Sequence, residues 1–232
     1  MNASLPQAAV NAMGVFEVQV QAIRLEAQGI CSFELTDPNG HALPSFEAGA
    51  HIDVHLPGGV VRSYSLAGDP QDNTKWLLGV LKEAQSKGGS KAMHDKVRVG
   101  DVLTVGPVRN AFPMAANAAH TVLIGGGIGI TPLKSMAHAL AAQGASFELH
   151  YCARSPKHAA FVDTLRALVP PGKLHLHFDE GDPAKGLDIQ ALLKSPADNT
   201  HVYFCGPAGF MKACEAATQH WNQACVHSEH FK

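Results

Sequence analysis

The run HTVLIGGGIGITPLKSMAHAL, His120 to Leu140, decides the fold of this chain. Val122, Leu123 and Ile124 form a short apolar run that reads as a buried strand. It leads into Gly125-Gly126-Gly127-Ile128-Gly129, where the backbone can turn tightly with nothing protruding. Thr131 is expected as an N-cap and Pro132 as the first helical residue, and Leu133, Met136, Ala137 and Leu140 recur at helical spacing. A strand, glycine turn and helix start in that order present backbone N–H groups and a positive dipole end to a pyrophosphate. The spacing is not the G-x-G-x-x-G fingerprint, because position 132 is Pro, and a tight βα connection would use the same glycines.

Downstream of this run the texture keeps alternating. Strands are expected at 121–124, 146–152, 174–178 and 201–204, and helices near 132–143, 158–168, 189–194 and 208–222. That alternation predicts a parallel, doubly wound sheet. Upstream, Val15 to Val105 reads as an all-β half. Phe16-Val18-Val20, Ile30–Leu35, His51–Leu56, Val60–Leu66, Trp76–Leu81 and Val102–Val105 are six short strands separated by turn chemistry such as Asp37-Pro38-Asn39-Gly40. They predict an antiparallel barrel or sandwich with one helix near 90–97. Gly106-Pro107 and the small residues of 111–119 mark the boundary.

The 232 residues suit one large or two ordinary domains, and 46% hydrophobic residues are enough for real cores. A net charge of −2 with scattered basic residues excludes a nucleic-acid footprint. No apolar run approaches the roughly eighteen residues of a membrane span. Residues 1–14, MNASLPQAAVNAMG, lack the features of a secretory signal and are expected as a loose leader. Five cysteines without a C-x-x-C argue against a disulfide framework and for a reducing cytoplasm. Among fourteen histidines, His175 and His177 alternate on one strand and His55 follows His51, but no credible ligand set stands out, so no metal is expected.

Three further stretches can carry chemistry. In Arg62-Ser63-Tyr64-Ser65-Leu66, the period of two puts Arg62 and Tyr64 on one strand face and Ser63 and Ser65 on the other. A guanidinium grips phosphate, a phenol ring can lie along an isoalloxazine, and a hydroxyl can reach a flavin nitrogen. Lys87-Gly88-Gly89-Ser90 opens a helix with a capping serine and offers a second anion seat. Tyr203-Phe204-Cys205-Gly206-Pro207 ends a strand on the ligand-binding edge of the parallel sheet, with Cys205 expected to project at the crevice. Taken singly, each is also what a solvated strand, an ordinary helix start or a buried cysteine would use.

Taken in order, these motifs resemble the ferredoxin–NADP reductase superfamily. More closely, they resemble its phthalate dioxygenase reductase and vanillate O-demethylase reductase group. Tyr151-Cys152-Ala153-Arg154-Ser155 and the ending Val226-His227-Ser228-Glu229-His230-Phe231 fit the same group. The resemblance implies an antiparallel FMN-binding β-barrel over 15–110 and a doubly wound NAD(H)-binding α/β domain over 111–232. It implies that Arg62, Gly89 and Ser90 hold the FMN phosphate and that Tyr64 packs on the ring. Ser65 would face the N5 region, and Ser63, Leu66, Lys82 and Gly88 are further candidates for binding cofactor. Gly127, Gly129 and Thr131 would line the pyrophosphate and nicotinamide path, and Arg154 and Ser155 would lie near the adenosine ribose. Cys205 would lie near the nicotinamide, with Gly206 and Pro207 also candidates for binding cofactor, and Phe231 would cover the flavin face. Ser65, Cys205 and Phe231 are the candidate catalytic residues, with Glu229 a candidate for influencing flavin protonation.

The implied activity is transfer of hydride from NADH to FMN, then of single electrons to a [2Fe-2S] centre serving a terminal oxygenase. Reductases of this group normally continue into a plant-type ferredoxin domain with a C-x₄-C-x₂-C signature, and no cysteine pair here has that spacing. The iron–sulfur centre is therefore expected on a ferredoxin-type domain outside this sequence or on a separate protein. Arg154, Lys157 and His158 could accept a 2′-phosphate, so NADH rests on the resemblance alone. The alternatives are a stand-alone flavin, ferric or oxygen reductase of the same fold, and a non-catalytic flavin-binding subunit.

Overall fold

The structure, a computed structural model, describes residues 14–84 and 88–231. Residues 1–13 of the expected leader, and Lys87 of the glycine turn, lie outside the described residues. The chain opens with six strands: β1 (Phe16–Ala27), β2 (Ile30–Thr36), β3 (Ala50–Leu56), β4 (Val60–Ser65), β5 (Trp76–Leu81) and β6 (Val102–Val105). They pair antiparallel in the order β4-β3-β6-β1-β2-β5, and a short β7 (Arg109–Asn110) pairs with β3. The ends meet: Leu66 bridges Leu78, and the Ala67 N–H donates to the Leu77 carbonyl at 2.8 Å. Of the two predicted architectures the barrel is the one formed. Alternating residues fill it, with Phe16, Val18, Val20, Phe33, Ile52 and Trp76 all buried, and Phe16 meeting Trp76 edge to face at 5.5 Å.

The first strand is longer than predicted. After Val20 the alternation breaks, because the pairing with β2 shifts register between Val20 and Ala22 and again between Leu25 and Ala27. A bulge moves the side chains that follow to the opposite face, so a period-two reading stops where the strand does not. The one helix of this half, α1 (Gly89–Asp95), starts a residue early and ends two early.

The second sheet is parallel throughout, in the order β10-β9-β8-β11-β12. Its strands are β8 (His120–Gly126), β9 (Phe147–Ala153), β10 (Leu174–Phe178), β11 (Thr200–Cys205) and β12 (Val226–Glu229). One face packs under α2 (Ile130–Ala142) and α3 (Val162–Leu168) through Leu123, Leu149, Tyr151 and Tyr203. The other packs under α4 (Ile189–Leu192) and α5 (Ala208–Ala217) through Val122, Ile124, Val202 and Phe204. Two-sided burial explains why the central strands β8 and β11 read as nearly continuous apolar runs. The fifth strand, β12, escaped the sequence reading because its four residues, VHSE, include only one apolar side chain. Helix α3 begins at Val162 rather than 158, after a 3₁₀ turn at Pro156–His158 and a left-handed Phe161 with φ 63°. Helix α5 ends at Ala217 rather than 222. Among the described residues no helix is long and apolar enough to cross a membrane.

The two sheets press together along a seam. Gly79 of β5 has no side chain because the Thr131 γ-methyl occupies that space: a Cβ there would sit 2.6 Å from it. Lys134 of α2, 3% exposed, donates to the Ala67 carbonyl at 2.9 Å. The Gln28 N–H donates to the Lys157 carbonyl at 2.8 Å.

Candidate functional site

On β4, strand pairing sets Ser63 opposite Asp53 and Tyr64 opposite Ile52, which bears out the predicted division into two faces. The Arg62 side chain lies against the start of α1. A Cβ on Gly89 would fall 2.4 Å from Arg62 Cγ, so the missing side chain is what lets the guanidinium stem cross the helix end. Arg62 also donates to the Val61 carbonyl at 2.7 Å. Tyr64 packs on the barrel core, and its buried hydroxyl has no hydrogen-bond partner among the described residues. Burial pushes that phenol up to about 12, against the opposing pull of Arg62. An orphaned hydroxyl beside a guanidinium is the donor set a ribityl phosphate would satisfy.

Several expected contributors to this seat sit differently. The cap of α1 is Gly88, left-handed at φ 103°, and Ser90 is inside the helix with its Oγ accepting from the Glu83 N–H at 3.1 Å. Ser63 donates to Asp53 at 2.6 Å, and Asp53 is also paired with Arg109, so Ser63 faces away from Arg62. Leu66 is fully buried in the barrel core and its N–H is bonded to the Ala50 carbonyl. The Lys82 ammonium is drawn to Asp95 at the far end of α1.

The second seat lies where β8 and β11 end. Gly129 is pressed onto β11: a Cβ there would sit 2.2 Å from the Cys205 carbonyl oxygen and 2.7 Å from the Gly206 N. Gly206 in turn lies against Gly126, whose Cα is 3.1 Å from where its Cβ would be. Gly127, left-handed at φ 54°, has nothing within 4 Å of that position, so its backbone opens onto free space. Thr131 does not cap α2. The cap is Gly129, and Thr131 Oγ1 donates back to the Ile128 carbonyl at 3.0 Å, which holds its methyl toward the barrel. Arg154 is exposed beyond β9, and Ser155 Oγ pairs with His158 Nδ1 at 2.9 Å, so His158 is engaged locally.

Cys205 does not project into the crevice. It is fully buried in the core under α2, and burial, then the nearby Glu229, pushes its thiol far above the usual range. It is a thiol at neutral pH and no nucleophile. The register of β12 on β11 sets Glu229 beside Cys205, and Glu229 Oε2 lies 3.5 Å from Ser65 Oγ across the seam. Burial raises the Glu229 carboxyl to about 7, with the Ser65 contact opposing it. Ser65, Cys205 and Glu229 thus converge from three strands of two sheets. Phe231 follows, 46% exposed, so it is not core packing.

All five cysteines are free. The histidines hold what the sequence reading missed. Glu148 and His150 of β9 and His175 of β10 bring one ligand atom each within 4.8 Å of the others. The residues are spread over 28 positions of sequence, and only the β9–β10 pairing joins them. Burial holds the His150 imidazolium down to about 4, with His175 beside it.

Residues 123–216 match the profile of the oxidoreductase NAD-binding domain. The chain is 49% identical over 208 residues to a vanillate O-demethylase oxidoreductase of Pseudomonas putida, covering 89% of this chain and 65% of the relative. It is 39% identical over 219 residues to the phthalate dioxygenase reductase of Burkholderia cepacia, covering 94% and 68%. A solved phthalate dioxygenase reductase, described as a modular structure for electron transfer from pyridine nucleotides to [2Fe-2S], superimposes with a TM-score of 0.90 at 38% identity. That match covers 94% of this chain and 68% of the other. The chain therefore spans about two thirds of the length of these relatives.

Proposed function

The chain belongs to the family of phthalate dioxygenase reductases and vanillate O-demethylase oxidoreductases, and from that premise we propose that it is the flavin- and NADH-binding part of an oxygenase reductase. The observation that carries the proposal is the meeting of Ser65 with Glu229, 3.5 Å apart, where the barrel abuts the ends of β11 and β12. Residues 15–110 form the flavin unit and residues 111–232 the nucleotide unit. The chemistry supplied by bound FMN is acceptance of hydride from NADH and release of single electrons to a [2Fe-2S] centre.

The chain's own residues bind and orient. Arg62 and the Gly88–Ser90 turn hold the flavin phosphate, with the orphaned Tyr64 hydroxyl as a further donor. Ser65 offers its hydroxyl at the ring edge, and Glu229, poised near 7, holds or releases a proton at Oε2 beside it. Gly127 leaves backbone open to the dinucleotide, and Thr131 shapes the path between the sheets. Cys205, wholly buried, fills the core behind the crevice rather than meeting the nicotinamide, and Phe231 shields the exposed flavin face. Arg154 and Ser155 meet the adenosine ribose. The electron acceptor is a ferredoxin-type [2Fe-2S] domain or protein and, through it, a terminal oxygenase. Five free cysteines suit a reducing cytoplasm.

The test is an anaerobic absorbance spectrum of the purified chain before and after NADH. Flavin bands that bleach on NADH addition, with FMN released by acid, are the expected outcome. A chain that takes up no added flavin, or whose flavin stays oxidised under NADH, would overturn the reading.

A further inference from the structure

We infer that Glu148, His150 and His175 form a binding site for one divalent transition-metal ion of the zinc class, on the sheet face opposite α2 and α3. Parallel pairing sets His150 directly beside His175, and Glu148 lies two residues before His150 on the same face of β9. The two imidazole rings stack at 4.5 Å with planes 19° apart. The three ligand atoms lie within 4.8 Å of one another, and the His150 side chain is only 8% exposed.

In one of the two tautomers of His150 the arrangement calls for a cation. His150 Nε2 is buried and has no hydrogen-bond partner among the described residues. It faces Glu148 Oε1 at 3.7 Å, beyond hydrogen-bond reach. Its other nitrogen, Nδ1, is 3.1 Å from His177 Nε2. When His150 Nδ1–H donates to His177, its Nε2 carries a lone pair aimed at a carboxylate, two acceptors with nothing between them. An ion in that gap removes the conflict. Around tetrahedral zinc, nitrogen and oxygen ligands at about 2.0–2.2 Å stand roughly 3.3–3.5 Å apart. The Glu148–His150 pair at 3.7 Å thus has only tenths of an ångström to close, while the stacked His175 ring has to turn its lone pair toward the ion from within 4.8 Å. His177 then has the part that outer partners of metal-bound histidines usually have: it fixes the tautomer and the ring orientation.

Two imidazoles and one carboxylate suit zinc and its first-row neighbours, with water completing the shell. The ion would tie β10, the edge strand of the sheet, to β9. Glu148 is the second residue of β9, whereas the nucleotide crevice opens past its last, so the site is separate from hydride transfer.

The test is calorimetric titration of the chelator-treated full chain with Zn²⁺ at neutral pH, with thermal melting alongside. The wild type should bind one equivalent and melt higher as Zn²⁺ is raised. Glu148→Gln and His175→Gln should each weaken binding at least about tenfold, and His177→Gln by about 10- to 100-fold, while circular dichroism stays unchanged. Absence of binding by the wild type at about 100 µM Zn²⁺ overturns the site, because assembled zinc sites bind far more tightly than that. Binding that all three variants retain also overturns it, since the ion would then sit on the cysteines or on other histidines.

Discussion

Ser65 and Glu229 are 164 residues apart in sequence and 3.5 Å apart in space, and the chemistry proposed for the chain depends on that contact. In the proposed function, Ser65→Ala removes one hydroxyl from the flavin edge and leaves Arg62 to hold the phosphate. Flavin reduction by NADH should slow about tenfold, the equivalent of one hydrogen bond of about 1.4 kcal/mol, with FMN still bound. Stopped-flow rates equal to the wild type would remove Ser65 from the mechanism. Glu229 makes a pH prediction. Its folded value of about 7 lies above the ordinary 4.5, so the folded state binds the proton more tightly than the unfolded chain does. The stabilisation is complete below about pH 4.5, is lost as pH rises to about 7, and changes no further above that. Melting curves of Glu229→Gln, subtracted from wild type across that window, should show this limb disappear.

At the scale of elements, the glycines of the β8–α2 turn divide between two tasks. Gly127 opens its backbone onto free space, whereas Gly129 exists so that α2 can lie on the end of β11. Gly129→Ala sets a methyl carbon 2.2 Å from a backbone carbonyl that cannot rotate away. It should cost about 3 kcal/mol and lower the melting temperature by roughly 5–10 °C, read by calorimetry. Gly89→Ala meets the Arg62 stem instead, 2.4 Å away, so the fold should survive. FMN affinity should fall about 10- to 100-fold, as it should for Arg62→Ala, through loss of a charge-assisted bond. Fluorescence titration with FMN reads both variants. The elements themselves were largely legible: Leu174–Phe178 and Trp76–Leu81 were delimited from pattern alone. The misses have local causes. A bulge hid the second half of β1, a four-residue polar strand hid β12, and the caps of α1 and α2 are backbone glycines where hydroxyl residues were expected.

For the whole molecule, the seam between sheets brings a barrel strand within reach of the nucleotide crevice, and in the proposed function the electrons leave to a ferredoxin-type [2Fe-2S] domain or protein. With NADH and FMN the chain should reduce ferricyanide directly. It should reduce cytochrome c at a useful rate only when a plant-type [2Fe-2S] protein is added. Steady-state absorbance assays with and without that protein check this, and equal cytochrome c rates would favour the stand-alone reductase.

By itself, the sequence determined the two architectures, the order of the two halves and the motif-bearing turns. Those depend on period, propensity and turn chemistry over fewer than about twenty neighbouring residues. Only the tertiary structure decided that the barrel closes through Leu66 and Leu78, that Cys205 is walled in, and that Ser63 and Lys82 turn to other partners. It alone set Glu229 beside Ser65 and gathered Glu148, His150 and His175. The reason is strand order. Which strands become neighbours, and in what register, follows from burial summed over whole sheets, and no local window of residues contains that sum.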